Sequence, residues 1–161
     1  KIVNSQISDL IKKNNLFIDF LEVVENKLYI TLDGRTYLFD ENENINFDKF
    51  EYLVKDNFRV EGIYGYGEYL FFSSKKGILN LRDNELIPSS LYFNFRVNDV
   101  LKFNNILYIG TSGGLAIYDL ESKQLNNFYD FSFIRNIFKV ELVEDFLVLL
   151  TSTGLIKLNL S

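Results

Sequence analysis

Three arginines recur at nearly the same place in the chain: Arg59 in Phe58-Arg59-Val60, Arg96 in Phe95-Arg96-Val97, and Arg135 one residue out of register. Guanidiniums converging on one mouth would clamp a carboxylate, sulfate or phosphate through paired, charge-assisted hydrogen bonds. The same side chains could instead stack on neighbouring aromatics such as Phe93 or Phe133 and bond carbonyls at sheet edges. Arg35, Lys75 and Lys76 fall in turns, where they would add a basic rim or serve solubility alone. Asp99 and Lys139 share a column of the repeat, and their opposite signs favour a mutual pair over a ligand site.

A calcium loop is the sharpest metal candidate. Asp40, Asn42, Asn44, Asp48 and Glu51 place oxygen-bearing side chains at the alternating positions that such a loop requires, but Ile45 stands where a glycine must make the sharp turn. A hairpin with solvated acids explains the same residues. Other chemistry is narrower still. With no Cys and no His there is no thiolate nucleophile, no imidazole base and no ordinary zinc or copper site, so no cofactor is expected. Glu141 and Glu144 are paired carboxylates that nothing in the sequence places around a cleft.

Charge limits the partners. Seventeen basic against 22 acidic residues leave a net charge of -5, which repels a phosphate backbone and argues against DNA or RNA. The longest unbroken apolar run, Phe146 to Leu150, is far short of the roughly 20 residues of a membrane-spanning helix. The sequence has no Met and opens at Lys1, as expected of a processed protein or a piece of a longer chain.

These groups need elements to hold them. Ala116 is the only alanine among 161 residues, whereas Phe contributes 16 and Tyr 10, a balance that favours strands over helices. Ser8 to Asn14 could form a single helical turn. Internal repetition is more decisive. Leu107 to Leu115 is echoed 40 residues later at Leu147 to Leu155 and 37 earlier at Leu70 to Ile78, with a divergent copy from Leu28 to Tyr37. In the third copy the spacing predicts strands at Val97 to Phe103, Ile106 to Thr111, Leu115 to Asp119 and Gln124 to Tyr129. Asn104-Asn105 forms the first turn of that copy, with Glu25-Asn26, Gly67-Glu68 and Glu144-Asp145 equivalent to it.

Strands this apolar must be covered on both faces, and a four-stranded unit recurring every 37 to 42 residues matches the blades of a β-propeller. The fold expected is all-β: one propeller domain over 1–161, with repeats at about 17–56, 57–94, 95–134 and 135–161. The last repeat has three strands. Residues 1–12 could complete it and close a four-bladed ring; the other reading is an arc of a larger propeller.

Tyr108-Ile109-Gly110-Thr111-Ser112-Gly113-Gly114-Leu115-Ala116-Ile117-Tyr118-Asp119 resembles the two-component regulator propeller repeat. The fourth copy keeps Thr151, Gly154 and Leu155, the second keeps Gly77 after Ser73 and Ser74, and the first keeps Gly34 and Asp40. The Trp common in the family's second strand is replaced by Tyr29, Phe71, Tyr108 and Val148. The resemblance implies a periplasmic or extracellular sensor portion that recognises saccharides or proteins and does no chemistry. Two further functions compete with it. One is a scaffold that self-associates or docks through Tyr52, Phe128, Tyr129, Phe131 and Phe133; the other is a glycan-active enzyme using carboxylates.

Overall fold

The computed structural model describes residues 9, 12–13, 15, 17–24, 27–32, 35–40, 51–52, 58–130 and 136–160. Four antiparallel sheets follow one another along the chain. The first comprises β1 (Ile18–Val24), β2 (Lys27–Leu32), β3 (Arg35–Asp40) and the short β4 (Glu51–Tyr52). The second comprises β5 (Gly62–Tyr66), β6 (Tyr69–Ser74), β7 (Gly77–Asn80) and β8 (Glu85–Pro88). In the third, β9 (Val97–Phe103), β10 (Ile106–Thr111), β11 (Leu115–Asp119) and β12 (Gln124–Tyr129) match the strand boundaries expected from sequence. The fourth has three strands, β13 (Ile137–Val143), β14 (Phe146–Thr151) and β15 (Gly154–Asn159). Asp9, Lys12 and Lys13 are helical, as the Ser8 to Asn14 pattern suggested.

Turn chemistry explains why the repeat signature recurs. Thr111 Oγ1 donates to the Gly114 carbonyl at 2.8 Å and accepts the Gly113 and Gly114 N–H groups at 3.1 and 3.0 Å. Thr151 Oγ1 likewise donates to the Gly154 carbonyl at 2.8 Å and accepts the Thr153 N–H at 3.2 Å. Ser74 plays the part in the second sheet, reaching the Gly77 carbonyl at 3.4 Å and taking the Lys76 N–H at 3.0 Å. A hydroxyl three residues before a glycine thus satisfies backbone groups that the turn would otherwise leave unpaired. Positive φ at Gly67, Asn104 and Glu144 makes the first hairpin turn of three sheets, at the positions read from sequence.

Period-two alternation assigns side chains to both faces. Phe72 packs with Tyr29, Val60 and Ile63 toward the first sheet, while its neighbour Phe71 packs with Val97, Leu107 and Ile109 toward the third. On β10, Tyr108 turns the other way, joining Leu115, Ile137 and Leu149 against the fourth sheet. Each internal sheet is therefore a shared wall, and neighbouring sheets meet through their first strands, β1 with β5, β5 with β9 and β9 with β13. This stack is consistent with the propeller expectation. Among the described residues, no ladder joins the first sheet to the fourth. Ile78 and Leu115 are wholly buried, whereas Leu155, in the same column, is 73% exposed because no described sheet follows it. The expectation that residues 1–12 complete the fourth sheet falls on residues outside the described part, except at Asp9 and Lys12, which are helical and not in a strand.

Candidate functional site

Arg59 precedes β5, Lys75 and Lys76 form the turn between β6 and β7, and Arg96 precedes β9. All lie at one end of the stack because each sheet begins and turns there. Arg59, Lys75 and Arg96 line a single open crevice of about 540 Å³, together with Asp19, Val60, Glu61, Asn94 and Phe95. A smaller recess of about 300 Å³ joins Lys76 to Arg59 and Lys75. Four of the six basic residues singled out from sequence are thus neighbours in space. Arg35 begins β3, and its side chain is not described; Arg135 lies outside the described residues. So does the centre of the calcium loop, with Asn42, Asn44 and Asp48; Asp40 ends β3, and Glu51 lies in β4.

The arginines differ in setting. Arg59 donates to Asp19 Oδ1 at 3.1 Å, an acidic partner 40 residues earlier, and its side chain is 72% exposed. An exposed pair of this kind contributes at most about 1 kcal/mol, so a stronger anion can compete for the guanidinium. Arg96 is fixed through its backbone: its N–H donates to Ser112 Oγ at 3.1 Å and its carbonyl accepts the Ser112 N–H at 2.9 Å.

The approach to Arg96 carries features that the sequence reading missed. A 3-10 turn at Ser89–Tyr92 ends in Phe93 and Asn94, both left-handed with φ of 57°. The Asn94 N–H donates to the Ser89 carbonyl at 2.8 Å, and Ser89 Oγ bonds Asn94 Oδ1 at 2.9 Å. Asn tolerates such a backbone, but Phe has no local preference that signals it. Phe93 is 64% exposed and meets Phe128 edge-on with ring centroids 5.0 Å apart, while Phe95 stacks on Phe128 at 5.9 Å. Phe128 is therefore half-buried within this cluster and is not a free outer patch; Tyr129 remains exposed. Phe131 and Phe133 lie outside the described residues, and the side chain of Tyr52 is not described.

Deeper between the first strands, Asp99 is buried and accepts the Val140 N–H at 2.8 Å, with Lys139 Nζ at 3.3 Å. The expected mutual pair is present. Lys139 also reaches Glu141 at 3.5 Å, and Glu144 lines a crevice of about 370 Å³ with Asp145. Tyr66 donates to the Val100 carbonyl, Tyr64 to that of Asn98 at 3.4 Å, and Asn98 Nδ2 to that of Ile137 at 3.0 Å. Burial pushes the Tyr64 hydroxyl up to about 12, keeping it a donor at all ordinary pH.

Burial also raises the Asp99 carboxyl above its ordinary value, outweighing the opposing Val140 N–H and Lys139. The Lys139 ammonium feels burial too, but attraction to Asp99 and Glu141 prevails and raises it. The folded chain therefore retains the Asp99 proton after the unfolded chain has lost it. Asp99 makes stability fall as pH climbs from about 4 through the raised value, the reverse of an ordinary paired carboxylate. Asp99→Asn, whose amide oxygen can still accept the Val140 N–H, is expected to gain on the wild type across that window. Urea melts from pH 4 to 7 check this; a difference that is flat or shrinks with pH refutes it.

No protein-family model matches the chain, and no curated protein sequence matches it. Solved structures do. The computationally designed Ika4 protein is similar over 90% of this chain and 92% of its own, with a TM-score of 0.67 at 11% identity. The likeness is one of fold. The designed Ika8 protein matches 87% of this chain but 44% of its own, with a TM-score of 0.65 at 12% identity. The extracellular domain of the putative hybrid two component system BT4673 from B. thetaiotaomicron matches 88% of this chain, with a TM-score of 0.60 at 19% identity. This chain spans only 20% of that domain's length. No helix among the described residues is long and apolar enough to cross a membrane.

Proposed function

We propose that the chain is a non-enzymatic recognition module, the sensory or interaction part of an extracytoplasmic protein with two-component regulator propeller repeats, and that it binds an acidic ligand. The observation that carries this is the convergence of Arg59, Lys75 and Arg96 on one open crevice, in a chain whose net charge is -5. Local positive potential on an acidic molecule selects anions, and the guanidiniums supply the paired donors that carboxylates or sulfates match. The Thr-x-x-Gly turns and the fold shared with the BT4673 extracellular domain support the sensor assignment.

Thermal shift with citrate and sulfate tests the reading. A ligand at a hundred times its Kd stabilises by about 3 kcal/mol, which for a chain of this size raises Tm by roughly 6–12 °C. Arg96→Ala is expected to abolish that rise without lowering the Tm of the free protein, because the contacts that seat Arg96 are made by its backbone. An unresponsive wild type, or a variant that responds equally, overturns the reading.

A further inference from the structure

The crevice is not uniformly polar. Phe95 lines it beside Arg96, and Phe93 stands two residues back with most of its ring in solvent. An exposed aromatic on a left-handed backbone is costly twice over, in backbone strain and in apolar exposure, and such outliers persist where the surroundings impose them. Here the Ser89–Asn94 hydrogen bonds impose it, and Phe93 stands beside a groove lined by Phe95 in which three cations, Arg59, Lys75 and Arg96, outnumber two acids, Asp19 and Glu61.

The geometry around Phe95 discriminates between classes of acidic ligand. Phe128 stacks against the Phe95 ring, and the Gly113 backbone lies so close over it that a Cβ there would collide with three ring carbons. Crowded by Phe128 and Gly113, Phe95 leaves the groove a partial surface or an edge in place of the open platform on which a pyranose ring stacks. An edge suits an aliphatic or aromatic side chain, which packs at any angle or edge to face. Across the groove stand Arg59 and Lys75, on elements of a different sheet from Phe95. A ligand that satisfies both sides carries acidic groups and an apolar group, as an extended peptide with alternating side chains does.

We propose that the crevice docks an extended acidic peptide segment bearing one large apolar side chain. The carboxylates meet Arg59, Lys75 and Arg96, and the apolar side chain packs on Phe95 and Phe93. This rests on the anion reading above and adds the class of partner to it.

The test uses the whole chain and fluorescein-labelled peptides of sequence Asp-Glu-Phe-Glu-Asp and Asp-Glu-Ser-Glu-Asp, with citrate and a trigalacturonate as non-peptide probes. The Phe peptide is expected to bind about tenfold tighter than the Ser peptide, as one buried apolar group commonly provides. Phe95→Ala should bring that ratio close to one. Phe93→Ala, at an exposed site where folding is not at risk, should lower the ratio as well. Equal affinity for the two peptides, a ratio unmoved in both variants, or a preference for trigalacturonate overturns the peptide proposal. If citrate still stabilises the protein in those cases, the anion crevice stands. A chain that responds to neither citrate nor peptide overturns both.

Discussion

Gly114→Ala is expected to destabilise the protein by about 3–5 kcal/mol, whereas Gly154→Ala, at the equivalent turn of the next sheet, should cost only about 1–2 kcal/mol. Both glycines have positive φ, 156° and 128°, so both substitutions incur backbone strain. They differ in what surrounds them. A Cβ on Gly114 would run into the carbonyl oxygen of Tyr129, which cannot retreat because Leu115 pairs with Tyr129 in the β11–β12 ladder. A Cβ on Gly154 would meet nothing, since the fourth sheet has no described strand beyond β15. Urea unfolding of the two variants measures the contrast. Equal costs would mean that the fourth strand of the third sheet is not what makes Gly114 obligatory.

Phe71→Ala should cost about 3–5 kcal/mol, through lost burial and the cavity left behind. Phe71 is wholly buried between the second and third sheets, where it packs with Ile78, Ile87, Tyr92 and Val97 and stacks on Tyr69 at 5.9 Å. Neighbouring strands on both sides are hydrogen-bonded, so the site can collapse little. For a chain of this length the loss corresponds to a fall in Tm of roughly 6–20 °C. Phe138→Ala provides the comparison: its ring is half exposed on the fourth sheet, and truncation should change stability by about 0.5 kcal/mol. Thermal melts that rank the two alike would refute the shared-wall packing.

Much of the fold was legible because its determinants are contiguous. The boundaries of β9 to β12 follow from turn residues whose backbone preferences are local: Asn104 takes positive φ, and the Thr111 hydroxyl closes its turn within three residues. The Asp99–Lys139 pair was readable for a related reason, since a 40-residue repeat puts residues of one column on adjacent first strands. Regularity ends at the site. Asp19 as the partner of Arg59, the left-handed Phe93, and Phe95 pressed against Gly113 are tertiary contacts and backbone states that no local residue preference announces.

From the order of residues alone came the all-β class, the fourfold repeat and the basic positions worth watching. Turn preferences and period-two alternation act over a few residues, and repetition copies them. Folding in three dimensions chose which of those cations share a crevice and lined it with Phe95 as well. That choice depends on how whole sheets stack face to face, and the stacking is set by packed volume between Phe71, Phe72, Tyr108 and their neighbours, not by any local preference.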